Sequence, residues 1–451
     1  MSIIHLSSIK SSFKLAWPIS LQNILVTLLS MIDIMMVSHL GDAAVAAVGL
    51  ANRIQFVILI IVTGLAWGVG VLSSQYFGAG KHEKIRQAIL MGISIGVLVM
   101  IPIVILTFYY AGSTMSWGSN DLEVIGLGEH YLWITMPSLF FVAVILVFEN
   151  ALRSTGEVKL PLLLSASAIV CNVILNYWLI NGGLGIDALG VAGAAIATTI
   201  SRLFHLLLLL LVLKKTRHYI KPTRHDFPML KNKNAWKKLI KLVWPMMFSF
   251  GVWSTGTFIY QLIYGQLGTQ ELAVMSVLAP IDGIFISVFL GFSSACGIMI
   301  GQRLGASDFK EAWSIAKTFA VLAPVSGFFV GMVMYLSEYW LFLPFANLPS
   351  ETLDLAKDVF AILCFGGWLK ITNMTFSMGM LRAGGETKPS LYIDTIGMWV
   401  ISIPLTLYCA FYLHLPLFWV ALAAYSEELT KAFLFAWRTY KRDWLKNLTK
   451  A

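Results

Sequence analysis

Twelve apolar runs, most of them 20 to 30 residues long, set the terms on which this chain can fold. They fall at about 13–40, 46–77, 87–111, 122–151, 160–180, 191–213, 239–266, 271–301, 313–337, 352–381, 389–411 and 416–438. A helix of about 20 residues crosses the hydrocarbon core of a bilayer. Only helices and closed barrels satisfy every backbone group in lipid, and these runs are too long for barrel strands. The pattern predicts an all-α integral membrane protein of twelve transmembrane helices. Composition agrees: 12% of residues are charged and 58% are hydrophobic, where a soluble domain carries about 25% charged residues.

The formal net charge of +9 does not point to nucleic acid, because the basic residues sit in the connections between apolar runs. Connections near 81–86, 153–159, 214–241, 303–310, 382–388 and 438–450 carry most of the Lys and Arg; the alternate connections carry none. Arg53 and Lys357 are minor exceptions. The positive-inside rule then predicts a multi-pass protein of the inner (plasma) membrane with both termini cytoplasmic. The first run is too long for a signal-peptide core and lacks an A-x-A-like site after it, so it is expected to remain as the first span. Residues 214–241 hold ten Lys or Arg and read as a basic linker, with attraction to anionic lipid headgroups as a second role. This divides the chain into an N-terminal lobe, 1–213, a cytoplasmic linker, 214–238, and a C-terminal lobe, 239–451. Cys171, Cys296, Cys364 and Cys409 lie far apart within apolar runs and read as packing residues.

The halves repeat one another across the linker. Phe13-Lys14-Leu15-Ala16-Trp17-Pro18 matches Ile240-Lys241-Leu242-Val243-Trp244-Pro245. Gln75 and Gly78-Ala79 match Gln302 and Gly305-Ala306, with some drift in register beyond. Leu152-Arg153-Ser154-Thr155-Gly156-Glu157-Val158-Lys159 matches Leu381-Arg382-Ala383-Gly384-Gly385-Glu386-Thr387-Lys388. Six spans per half is an even number, so the lobes share one orientation. This is the parallel-repeat plan of secondary transporters, in which substrate binds between lobes. Gly78, Gly156, Gly305 and Gly385 read as tight turns.

Two residues interrupt the first run. Asp33 places a carboxyl where insertion costs at least about 2.5–3.5 kcal/mol, which marks it as a candidate for taking up and releasing a proton. Pro18, about 22 Å away along a helix, removes a backbone donor and bends the helix. A structural carboxyl and a static bend are the plainer alternatives. The second half has Pro245 but Tyr260 at the position matching Asp33, which places coupling in the first lobe.

Together these residues resemble the multidrug and toxic compound extrusion (MATE) family. The resemblance rests on Trp17-Pro18 with Asp33, Gln75-Tyr76-Phe77-Gly78-Ala79, Leu152-Arg153-Ser154-Thr155-Gly156-Glu157, Asn172-Val173-Ile174-Leu175-Asn176-Tyr177 and Gly190-Val191-Ala192-Gly193-Ala194-Ala195-Ile196-Ala197-Thr198. It implies a MATE-type fold of two six-helix lobes and a proton- or sodium-coupled exporter of cationic, amphipathic organic compounds. One branch, NorM-like, uses carboxylates on spans seven and ten; here span seven has neither Asp nor Glu, and span ten has none after Asp358. The DinF-like branch uses an acid on span one with polar partners on span five, which Asp33 and Asn172 fit. Some archaeal relatives carry a second acid where this chain has Asn176.

Asn172 and Asn176 lie one turn apart and share a helix face. They are candidates for an Asp33 network, with helix–helix glue as the alternative. Thr198 is a weaker candidate, since threonines in spans commonly bond their own backbone. In the second lobe Asp282, Asp394 and Lys370 are candidates for buried ion pairs, Lys370 with Asp394 among them. The expected partners are cationic or amphipathic drugs and the lipid bilayer, with no nucleic acid, no metal and no cofactor beyond a proton or, second, a sodium gradient; a monomer is expected. A flippase for a lipid-linked glycan precursor is the alternative, but an anionic pyrophosphate calls for several inward Arg or Lys. No H-E-x-x-H and no Ser-His-Asp set is present, which argues against an enzyme.

Overall fold

The computed structural model describes residues 6–183, 185–345 and 349–450. Among them the regular structure is helical, apart from one isolated bridge between Gly183 and Ile186. Eleven helices among the described residues are long and apolar enough to cross a membrane. They are α1 (Leu6–Val37), α2 (Asp42–Gly78), α3 (His82–Tyr109), α4 (Leu122–Ser154), α5 (Lys159–Asn181), α6 (Gly190–Lys215), α7 (Lys233–Leu267), α8 (Thr269–Gly305), α9 (Phe309–Leu336), α10 (Ser350–Leu381) and α11 (Thr387–Tyr412). The twelfth span, α12, is two helices, Leu417–Ala424 and Ser426–Tyr440, that meet at Tyr425. Glu427 and Glu428 occupy the first turn of the second piece, and Glu427 and Lys431 are buried. A broken, charged span of this kind is tolerated where protein rather than lipid surrounds it.

The chain forms two compact units: residues 21–247, and residues 1–20 with 248–451. The apolar core of the first is built from α2, α3, α4 and α6, with Val48, Val62, Met100, Leu132 and Leu139 all nearly inaccessible. In the second, Val274, Phe360, Val420 and their neighbours form one core and Ile300, Phe319, Met380 and Phe435 another.

The matching Leu-Arg-x-x-Gly turns carry Gly156 and Gly385 at φ +90° and +86°, a left-handed conformation that suits glycine. Gly78 and Gly305 end α2 and α8 without it; Gly80 and Ser307 take the left-handed position there instead, at φ 69° and 61°. Gly193 lets α6 lie against the Leu179 carbonyl of α5, where a Cβ would collide. That approach brings the polar face of α5 to α6. Along α5, Asn172 and Asn176 are 1% exposed, whereas Ile174 and Tyr177 are 62% and 70% exposed. The helix is therefore polar inside and apolar outside, as a spanning helix should be.

The last step of the register drift has a physical reason. Ser165 and Asp394 are 229 residues apart, but buried Asn172 and Asn176 match buried Ser402 and Thr406 at 230. Between them α11 contains a π-helical turn, Ile396–Ser402, which inserts a residue without breaking the helix.

The basic connection between α6 and α7 is ordered. Its buried Asp226 accepts from Arg86 Nε at 2.9 Å and from Thr223 N and Oγ1 at 2.7 Å each. Arg86 Nη1 also donates to the Tyr219 carbonyl, and Gln87 to that of Met229. Tyr219 packs against Phe77, His82 and His218.

Candidate functional site

Asp33 is half-buried on α1, between Met31 and Met35, which are 43% and 70% exposed. Its carboxylate faces α5: Asn176 Nδ2 donates to Asp33 Oδ1 at 2.6 Å. The same amide nitrogen donates to Asn172 Oδ1 at 3.0 Å, and Asn172 Nδ2 donates to Ser201 Oγ of α6 at 3.2 Å. Ser201 in turn donates to the Thr198 carbonyl at 2.9 Å. A polar chain thus runs from Asp33 through three helices of one unit, and it joins Asp33, Asn172 and Asn176 directly. Thr198 lies at its end through its backbone carbonyl, an acceptor that any residue type supplies.

A second chain lies beside the first. Arg202 of α6 donates to Gln55 Oε1 of α2 at 3.1 Å and to Ser138 Oγ of α4 at 2.8 Å. Gln55 Nε2 donates to Thr135 Oγ1 at 2.9 Å. Arg202 is within electrostatic reach of Asp33, and Tyr131 of α4 lies near Asp33, Arg202 and Thr198. Tyr131, Gln55 and Ser201 carry no signal in the sequence on their own. Arg202 stands out in the sequence as a cation within span six.

The carboxylate of Asp33 is met by an amide rather than a cation. One buried atom nearby, Asn176 Oδ1, has no hydrogen-bond partner among the described residues. Protein interiors seldom leave such atoms unpaired. The site can therefore accept one further hydrogen bond when the carboxyl gains a proton or when a polar guest enters.

Pro18 lies within continuous α1, fifteen residues before Asp33. In the second unit the charges pair differently from the expected Lys370–Asp394 pair. Lys370 donates to both oxygens of Asp282, at 2.9 and 3.0 Å. Asp394 instead meets Arg382 at 3.1 Å and Lys431 at 3.7 Å. Lys370 on α10 thus faces α8, while Asp394 on α11 faces the α10–α11 turn and α12. Asn373 donates to Glu428 Oε2 at 2.7 Å. Tyr260, at the position matching Asp33, donates to Ser402 Oγ at 2.7 Å and also lies 3.1 Å from Glu427 Oε2. Ser402 matches Asn172, so each lobe links span one of the repeat to span five, Tyr260 directly at Ser402 and Asp33 one turn further on at Asn176.

A family model described as MatE matches residues 18–178 and 245–408, one segment in each half. Among curated proteins, the chain is 27% identical over 400 residues to a probable multidrug resistance protein NorM of Bradyrhizobium diazoefficiens, covering 84% of this chain and 82% of that protein. It is 26% identical over 446 residues to the multidrug resistance protein NorM of Burkholderia vietnamiensis, covering 94% and 92%. Among solved structures, the Vibrio cholerae MATE transporter VcmN in the bent form superposes with a TM-score of 0.85 at 20% identity, over 98% of each chain.

Proposed function

The chain belongs to the MatE family of transporters, and from that premise we propose that it exports cationic, amphipathic small molecules in exchange for protons, with Asp33 as the carboxyl that alternates between proton and cargo. The observation that carries this reading is the pairing of Asp33 with Asn176 Nδ2 at 2.6 Å. An ionised Asp33 takes that donor and attracts a cationic guest. A protonated Asp33 needs an acceptor instead, and the unpaired Oδ1 of Asn176 supplies one when the amide turns over. Proton and cargo then exclude one another at one group, which is the requirement for antiport. Of the other deep acids, Glu149 meets Arg153 and His205, Asp282 meets Lys370, Asp394 meets Arg382 and Glu427 meets Lys431, while Glu428 accepts from the Asn373 amide in the second unit. Coupling through the first lobe follows the DinF-like pattern, with bending at Pro18 as the accompanying change in α1. The relatives named as multidrug resistance proteins support drugs as cargo. The alternation of basic loops supports an inner-membrane protein with cytoplasmic termini.

The flippase reading is weaker because a pyrophosphate calls for several inward cations, whereas Arg153, Lys370, Arg382 and Lys431 meet carboxylates and Arg202 is bonded to Gln55 and Ser138. Everted vesicles separate the two. Ethidium should collapse a preformed proton gradient in vesicles holding the protein, and choline in place of sodium should leave the collapse unchanged. Indifference to ethidium, with movement of a lipid-linked sugar, refutes drug/proton exchange.

A further inference from the structure

Helices α1 and α7 are each shared between the compact units, and the division falls at matching places. α1 divides between Ser20 and Leu21, and α7 between Met247 and Phe248. Two residues after each last position comes a buried polar side chain, Gln22 at 2% and Ser249 at 3% exposure. Each stands four residues beyond a Trp-Pro step.

Both are held by an arginine from a Leu-Arg-x-x-Gly turn. Arg153 Nη2 donates to Gln22 Oε1 at 2.6 Å, and Gln22 Nε2 donates to Glu149 Oε1 at 3.0 Å and to Ser165 Oγ. Ser165 donates to Glu149 Oε1 at 3.1 Å, and His205 Nε2 lies 3.4 Å from the same oxygen. In the other unit Arg382 Nη2 donates to Ser249 Oγ at 3.0 Å, and Ser249 donates to Asp394 Oδ2 at 2.7 Å. Lys431 completes that cluster, bonded to Glu427 and 3.7 Å from Asp394. The carboxylate comes from α4 in one cluster and α11 in the other. The arrangement is nevertheless the same: a guanidinium donates to the shared helix, and the shared helix donates to a carboxylate.

Eleven residues separate Gln22 from Asp33, and eleven separate Ser249 from Tyr260. At 3.6 residues per turn that is about three turns, which returns to the same helix face. We propose that Arg153 and Arg382 are positioning residues of the transport cycle. Arg153 holds the rotational setting of α1 through Gln22 and so presents Asp33 to Asn176. Arg382 holds α7 through Ser249 and so presents Tyr260 to Ser402 and Glu427. The part of each helix beyond its proline is thereby fixed to the unit it enters. The first half of the proposal rests on the reading of Asp33 as the coupling carboxyl; the geometry of the clamps does not.

The test uses the full chain in proteoliposomes, with a nitroxide label on a cysteine replacing exposed Ser30 in a background free of the four native cysteines. Gln22→Met keeps the length and removes both polar atoms. It is expected to lower ethidium-driven proton exchange about tenfold or more, the equivalent of one hydrogen bond to a charged group, with ethidium KM changed less than twofold. It is also expected to alter the label's spectrum. Arg153→Met should match it, and the double variant should be no worse than either alone. Ser249→Ala should alter the spectrum of a label at Phe258 in the same way. Asp33→Asn should abolish exchange with the Ser30 label unchanged. Wild-type spectra in Gln22→Met and Ser249→Ala, or additive losses for Gln22 and Arg153, overturn the clamp. Exchange retained by Asp33→Asn overturns the coupling reading instead, and the spectra still judge the clamp.

Discussion

The connection between the halves is the place where a single substitution should have a large and local effect. Asp226→Ala removes the acceptor of three hydrogen bonds, from Arg86 Nε and from the amide and hydroxyl of Thr223. Breaking a buried charge pair costs about 3–5 kcal/mol when one partner is left behind. Arg86 keeps 18% of its side-chain exposure and can turn to water, which reduces the figure to about 2 kcal/mol. Hydrogen exchange of residues 216–232 reads this directly, since exchange through local opening follows the opening free energy. The expected result is exchange about thirtyfold faster across that segment, with the cores of α2 and α10 unchanged. The pH dependence carries a sign. Burial pushes the Asp226 carboxyl up, but the Arg86 and Thr223 hydrogen bonds outweigh it and hold the group below its ordinary range. A carboxyl lowered in the closed state stabilises fully above its ordinary range and loses that contribution as pH falls through the lowered value. Wild-type protection, corrected for intrinsic exchange rates, should therefore persist at pH 5 and vanish only in stronger acid. Unchanged exchange in Asp226→Ala would refute the assignment of Asp226 as the anchor and return the segment to a solvated linker.

Asn176→Leu removes the donor to Asp33 and the unpaired acceptor beside it. It should lower drug-driven proton exchange by at least tenfold, since one charge-assisted hydrogen bond is worth about 1.5–3 kcal/mol, while membrane insertion measured by protease protection stays normal. Pro18→Ala should slow transport without abolishing it, measured as initial rates of ethidium efflux from cells; wild-type rates would show that the bend is only structural.

Much of the fold was legible in the sequence because lipid imposes a simple rule. Runs of 20 to 30 apolar residues must be helices, and the two Trp-Pro steps and two Leu-Arg-x-x-Gly turns marked the repeat. Asp33, Asn172 and Asn176 stood out because polar atoms at membrane depth are costly, and the structure brings all three into one hydrogen-bonded chain. What was not legible depends on contacts between distant segments. The partner of Lys370 turned out to be Asp282, because α8 rather than α11 faces that side of α10. Gln22 and Ser249 look like ordinary polar residues until Arg153 and Arg382 are placed beside them. The last residue of the register drift between Asn172 and Ser402 comes from a π turn, which leaves no mark in hydrophobic periodicity. The basic connection reads as a solvated charge run because one acid among many lysines gives no hint that it is buried.

The central claim is that proton and cargo compete for Asp33. Proton release from purified protein, followed with a pH-sensitive dye in weak buffer as ethidium is added, tests it most directly. The wild type should release protons in proportion to ethidium bound, and Asp33→Asn should release none. Equal release from both would place the exchanging proton elsewhere and contradict the account.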